Sequence, residues 1–183
     1  LVEAGRKPAI VTRGYRAAKA GPGAEAKSDE AELLAELTGA AVIVEPDRVA
    51  GARRATEGGA DVVVLDDAFQ HRRIKRDLDI VLIDAAEPLG LGYCLPRGLL
   101  REPPGALQDA DAIVITHADE VTPAALAELR RKLQALCKPA VPIAEARHKP
   151  LAAIDEAGTK HAPQSLAGMK VAAFCGLGSP EHF

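Results

Sequence analysis

The 183-residue sequence contains no tryptophan and only five other aromatic residues, Tyr15, Phe69, Tyr93, Phe174 and Phe183. So few ring faces argue against a surface that stacks nucleobases. An excess of either charge is also missing: 23 Lys and Arg stand against 26 Asp and Glu, for a net charge of -3. No global field draws nucleic acid, so any anion site has to be local. The three cysteines, Cys94, Cys137 and Cys175, are odd in number, far apart and in no metal spacing, which fits a reducing compartment. No run approaches the roughly 18 apolar residues of a membrane span, and the N-terminus lacks the features of a signal peptide. A soluble, cytoplasmic chain is expected, with peripheral membrane contact left open.

What is present is an alternation of short apolar runs with helical patterns, the signature of βαβ units and a parallel sheet. Strands are expected at residues 9–12, 41–45, 61–65, 79–83, 112–116, 141–144 and 171–175, and helices at 29–37, 47–56 and 123–136. The last helix has Thr122 as its N-cap and Pro123 at its first position. Its leucines 126, 129, 133 and 136 share one face, a core stripe. Residues 1–146 are expected to form a core domain, 147–169 an irregular linker and 170–183 the start of a second, C-terminal lobe. The opening residues Leu1 to Pro8 read as the last turn of a helix capped by Gly5, and Ser179-Pro180 reads as the start of another. A fragment cut at both ends is expected.

Chemistry concentrates after the third strand. Val62-Val63-Val64-Leu65 runs into Asp66-Asp67-Ala68-Phe69-Gln70-His71, and acidic groups at the carboxyl end of a parallel strand fall where open α/β sheets bind ligands. Magnesium favours one or two carboxylates together with phosphates and water, so the pair is an apt ligand for a nucleotide-bound ion. Solvated turn aspartates are the competing reading. Arg13, directly after the first strand, projects from the same edge and could meet a phosphate. Asp29 opens a helix, where an acidic residue is ordinary, and would need a tuning partner to act as a base. A local basic cluster, Arg72-Arg73-Ile74-Lys75-Arg76, follows the pair; next to a candidate metal site it suits an anionic substrate, and as a solvated charged face it needs no role. Arg97, Arg101 and Glu102 add charge to the same edge, where an arginine can offset charge on a transferring phosphoryl group. No Gly-x-x-x-x-Gly-Lys-Ser/Thr phosphate loop occurs, although the acidic pair calls for one beside it. Thr116-His117-Ala118-Asp119 is a weak echo of a guanine-reading element.

Six motifs in order carry a resemblance. These are Arg13-Gly14-Tyr15, Ser28-Asp29-Glu30, Pro46-Asp47-Arg48, Asp66 to His71, Leu95-Pro96-Arg97-Gly98-Leu99-Leu100-Arg101-Glu102, and Gly176-Leu177-Gly178-Ser179-Pro180-Glu181-His182-Phe183. Together they closely resemble the tetraacyldisaccharide 4'-kinase family, which phosphorylates the lipid A precursor in Gram-negative bacteria.

The resemblance implies a P-loop-NTPase-like α/β fold, a mostly parallel sheet flanked by helices, with ATP and Mg2+ as cofactors. It implies Asp29 as general base, Arg101 and Glu102 as further catalytic residues, and Asp66 and Asp67 at the metal-nucleotide site. Gln70 and His71 would line the cleft for the substrate, a lipid-linked disaccharide, and Arg13 and Arg72, read from their positions beside the acidic pair, are expected to meet it as well. The whole enzyme would associate peripherally with the cytoplasmic face of the inner membrane and bind no nucleic acid. The phosphate loop would precede Leu1, so the chain alone is expected to bind ATP poorly and to be inactive. A GTP-dependent switch or metal-insertion protein, with Asp119 reading guanine, is the alternative from another class.

Overall fold

The computed structural model describes residues 1–14 and 29–172. The chain divides into two compact units, Leu1–Ala146 and Arg147–Phe183.

In the first unit, β1 (Pro8–Thr12) lies between β2 (Ala41–Val44) and β3 (Val62–Leu65), all parallel. A second parallel group places β5 (Ala112–Thr116) between β4 (Ile80–Asp84) and β6 (Ile143–Glu145). The elements expected within this unit are present, with edges that differ by at most two residues. Among the described residues, though, the two three-stranded groups share no strand pairing. Parallel strands need long crossovers, and the helices α1 (Asp29–Thr38), α2 (Arg48–Glu57) and α3 (Pro123–Leu136) lie in three of them.

Local chemistry sets the helix boundaries. Asp47, expected as the first helical residue, is instead the N-cap of α2: its Oδ1 accepts from the amides of Val49 (2.9 Å) and Ala50 (3.3 Å). Arg48, Gly51 and Ala55 form the buried face of that helix. Glycine is required at 51, because a Cβ there would lie 2.5 Å from Val11 Cγ1, so α2 packs hard against β1. On α3 the Thr122 hydroxyl accepts from Ala125 N at 3.2 Å, and Leu129 and Leu133 are buried with Ile113 and Ile115. The leucine stripe is therefore core.

In the second unit, β7 (Ala153–Ile154) pairs antiparallel with β8 (Lys160–His161), a hairpin within a stretch that looks irregular in sequence. Asp155 organises its turn, accepting from Ala157 N and Thr159 N while Oδ2 lies 2.8 Å from His161 Nε2. Of the strand expected at 171–175, residues 171 and 172 carry no regular structure, and the remainder lies outside the described residues.

The outer positions of β4 are apolar and open, with Ile80 54% and Leu82 66% exposed. Leu133, by contrast, is fully buried. Leu133→Ala is expected to cost about 2–5 kcal/mol in urea denaturation. Leu82→Lys, at an exposed position, should change stability by less than about 0.5 kcal/mol in the same measurement.

Candidate functional site at the sheet edge

Parallel register brings Thr12 and Asp66 together. Val11 pairs with Leu65, the Asp66 amide donates to Val11 O at 2.9 Å, and the next residue of each strand faces the other. Thr12 Oγ1, 1% exposed, lies 3.2 Å from Asp66 Oδ2. On the opposite flank of β1, Glu45 N donates to Thr12 O at 2.9 Å. The carboxyl ends of β1, β2 and β3 thus form one polar edge.

A buried cation holds that edge. Arg48, 2% exposed, donates from Nη1 to Glu45 O (2.9 Å) and from Nη2 to Asp66 O (3.1 Å), while its Nε is buried with no partner among the described residues. Sequence reasoning placed Arg48 in a motif and gave it no role. The available signal was the pair of small residues, Gly51 and Ala55, on the same face as Arg48, which draws the helix start beneath the strand ends.

The two aspartates have different environments. Asp66 Oδ1 has no hydrogen-bond partner among the described residues. Asp67 takes left-handed backbone, φ 49, which Asp tolerates better than most residues. Both of its oxygens accept from Arg101, at 2.6 and 2.5 Å. That bidentate bond holds the Asp67 carboxyl below its ordinary value and raises Arg101 above its own. The pair ties the loop that follows β4 to the end of β3. Gly98 helps shape that loop, since a Cβ there would fall 2.1 Å from Tyr93 O.

Charges fan out from this centre. Glu102 Oε1 lies 3.5 Å from Arg72 Nη2, and Arg72 Nη1 lies 3.5 Å from Asp109. Arg73 stands 3.9 Å from Asp47 and is almost fully exposed. A cleft of about 320 Å³ beside the edge is lined by Asp47, Arg48, His71 and Arg73, among others. Arg76 belongs to the basic cluster in sequence only. It donates to the carbonyls of His71 and Phe69 and to Asp79 Oδ1, so it staples the loop internally.

Arg13 and Asp29 are exposed, and neither they nor Gln70 form a hydrogen bond or ion pair with the acidic pair. His117 follows β5 in left-handed backbone, with Nδ1 3.3 Å from Asp84 Oδ2. Among the described residues no cluster of three or more His, Cys, Asp and Glu could hold a metal ion by itself. No helix among them is long and apolar enough to cross a membrane.

The chain is thus an α/β protein of mostly parallel sheet, with its acidic pair and Arg101 at the carboxyl edge, where open sheets of this class bind ligands. Comparison with known proteins narrows this. The tetraacyldisaccharide-1-P 4'-kinase family matches residues 1–183, and the chain belongs to that family. A tetraacyldisaccharide 4'-kinase of Anaeromyxobacter dehalogenans is 44% identical over 202 residues, covering 100% of this chain and 52% of the relative. Relatives of that name from Syntrophotalea carbinolica and Syntrophus aciditrophicus are each 39% identical, over 97% and 100% of this chain. The chain spans about half the length of the curated relatives it matches. No solved structure matches it significantly.

Because the folded-state carboxyl of Asp67 is held down, its pairing with Arg101 stabilises the fold above the ordinary carboxylate range and is lost as pH falls through the lowered value. Arg101→Ala should move the Asp67 titration up toward 3.8 in carbon-detected NMR. Both side chains are about half exposed, so stability at pH 7 should change by less than about 1 kcal/mol. An unmoved titration would show that the ion pair does not form.

Proposed function

We propose that the enzyme to which these residues belong transfers the γ-phosphoryl of ATP to the 4'-hydroxyl of a tetraacyldisaccharide 1-phosphate. The observation that carries this reading is the unequal acidic pair, one carboxylate oxygen without a partner among the described residues and the neighbouring carboxylate clamped by Arg101, in a chain of this family. Asp66 suits a magnesium ion, which is satisfied by one or two carboxylates when phosphates and water complete its shell. Magnesium-bound ATP supplies an electrophilic phosphoryl group with part of its charge neutralised.

Each residue then has a role. Asp66 would hold the cation, and Asp67, both of whose oxygens accept from Arg101, would reach it through water. Arg101, kept at the edge by Asp67, offsets negative charge that develops on the transferred group. Asp29 takes the proton of the acceptor hydroxyl, and Glu102 supports the same cleft. Arg13, Gln70, His71 and Arg72 contact the acceptor. These residues contain no phosphate-loop motif. In a P-loop-NTPase-like fold the phosphate-binding lysine would come from the part of the enzyme outside them. The acceptor is lipid-linked, so the reaction would run at the cytoplasmic face of the inner membrane, with Arg72 and Arg73 meeting its existing phosphate or anionic headgroups.

A chimaera tests the assignment. These residues would replace the matched half of the Anaeromyxobacter dehalogenans relative, and transfer of labelled phosphate to the disaccharide would be followed. Activity is expected, with Asp66→Asn and Asp29→Asn each lowering kcat by about 100-fold or more. A chimaera that folds and binds ATP but transfers nothing would count against the reading. In the same protein, Arg72→Ala with Arg73→Ala should raise KM for the lipid acceptor and weaken vesicle binding. If neither changed, the basic loop would have no part in acceptor recognition.

A further inference from the structure

We propose that Thr12 is a positioning residue for Asp66, its buried hydroxyl holding the carboxylate so that Oδ1 is the oxygen offered to a divalent cation. The inference rests on the reading of Asp66 as a cation ligand given above. Thr12 ends β1 at 1% exposure, with Oγ1 3.2 Å from Asp66 Oδ2. Gly14 N lies 3.5 Å from the same Oγ1, and Gly14 reaches that position with φ 67, the left-handed region that favours glycine. An amide can only donate, so the hydroxyl accepts from Gly14 and its single proton is left for Asp66. The polarity of the contact is thereby fixed.

A carboxylate rotates with a broad, roughly two-fold preference about its last torsion. Engaging Oδ2 picks one of those orientations. Arg48 meanwhile holds the carbonyl of the same residue at 3.1 Å, so backbone and side chain of Asp66 are both restrained. Outer partners of this kind commonly change metal affinity by about 10–100-fold when removed.

The test is Mn2+ binding in the presence of ATP to the chimaera described above, followed by electron paramagnetic resonance, with circular dichroism to establish folding. Thr12→Val keeps the branched shape and loses the hydroxyl; Thr12→Ser keeps the hydroxyl and loses the methyl. Val should weaken Mn2+ binding about tenfold or more, and Ser should stay within about twofold of the parent. A packing role would give the opposite order and would overturn the inference. If Thr12→Val does not fold, Thr12→Ala is judged on the same scale. Should Asp66→Asn weaken binding while the Thr12 variants bind as the parent does, the Thr12 inference falls and the cation reading stands. Should Asp66→Asn leave Mn2+ binding unchanged, or the parent bind none, the cation reading falls and takes this inference with it.

Discussion

The carboxyl edge depends on one buried guanidinium. Arg48 bridges the carbonyls of Glu45 and Asp66, groups that follow β2 and β3 on either side of β1. Burying a cation is costly unless its donors are used; two nitrogens of this guanidinium each reach a carbonyl, a spread a single ammonium could not match, while Nε has no partner among the described residues. The arrangement requires α2 to start directly beneath the edge. Gly51 permits that approach, and the Asp47 cap fixes where the helix begins.

From that anchor the site's charge distribution follows. Two adjacent carboxylates repel each other, and the positive charges of Arg101 and Arg48 both favour the ionised form of Asp67. The outer pairs, Arg72 with Glu102 and Asp109 and Arg73 with Asp47, are too exposed to contribute much stability. Their consequence is local charge matching: opposite charges recur across these loops. The cluster that looks purely basic in sequence is therefore largely matched in space, and Arg72 and Arg73 reach an anion only by sharing or leaving a carboxylate.

Much of this was legible in advance, for identifiable reasons. β-branched runs mark β1, β3 and β5 because buried parallel strands need no alternation, and Thr122-Pro123 fixes the start of α3 to the residue. The acidic pair and Arg101 stood out because their positions at strand ends and in a long loop left them few other uses. Thr12 did not stand out, since a strand-end threonine carries no pattern and its contact lies 54 residues away. Arg48 and Arg76 look like surface charges until burial and carbonyl partners are known. The hairpin formed by β7 and β8 has strands of two residues each, too short for any periodicity to register.

The inequality within the acidic pair bears on how cation and nucleotide depend on each other. Had both carboxylates been open, the edge would present two full negative charges and could hold a hard cation with little help. With Asp67 clamped by Arg101, the local charge available to a cation is closer to that of Asp66 alone. Magnesium gives up water reluctantly and is seldom held by protein ligands only. If Asp66 is a cation ligand, a single positioned oxygen would give weak affinity for the bare ion and much stronger affinity for an ion that arrives with phosphates, which complete the shell and bring their own charge. On the proposed reading the clamp would favour the metal–nucleotide complex over free metal, and the same contact would keep Arg101 at the edge where phosphoryl charge develops.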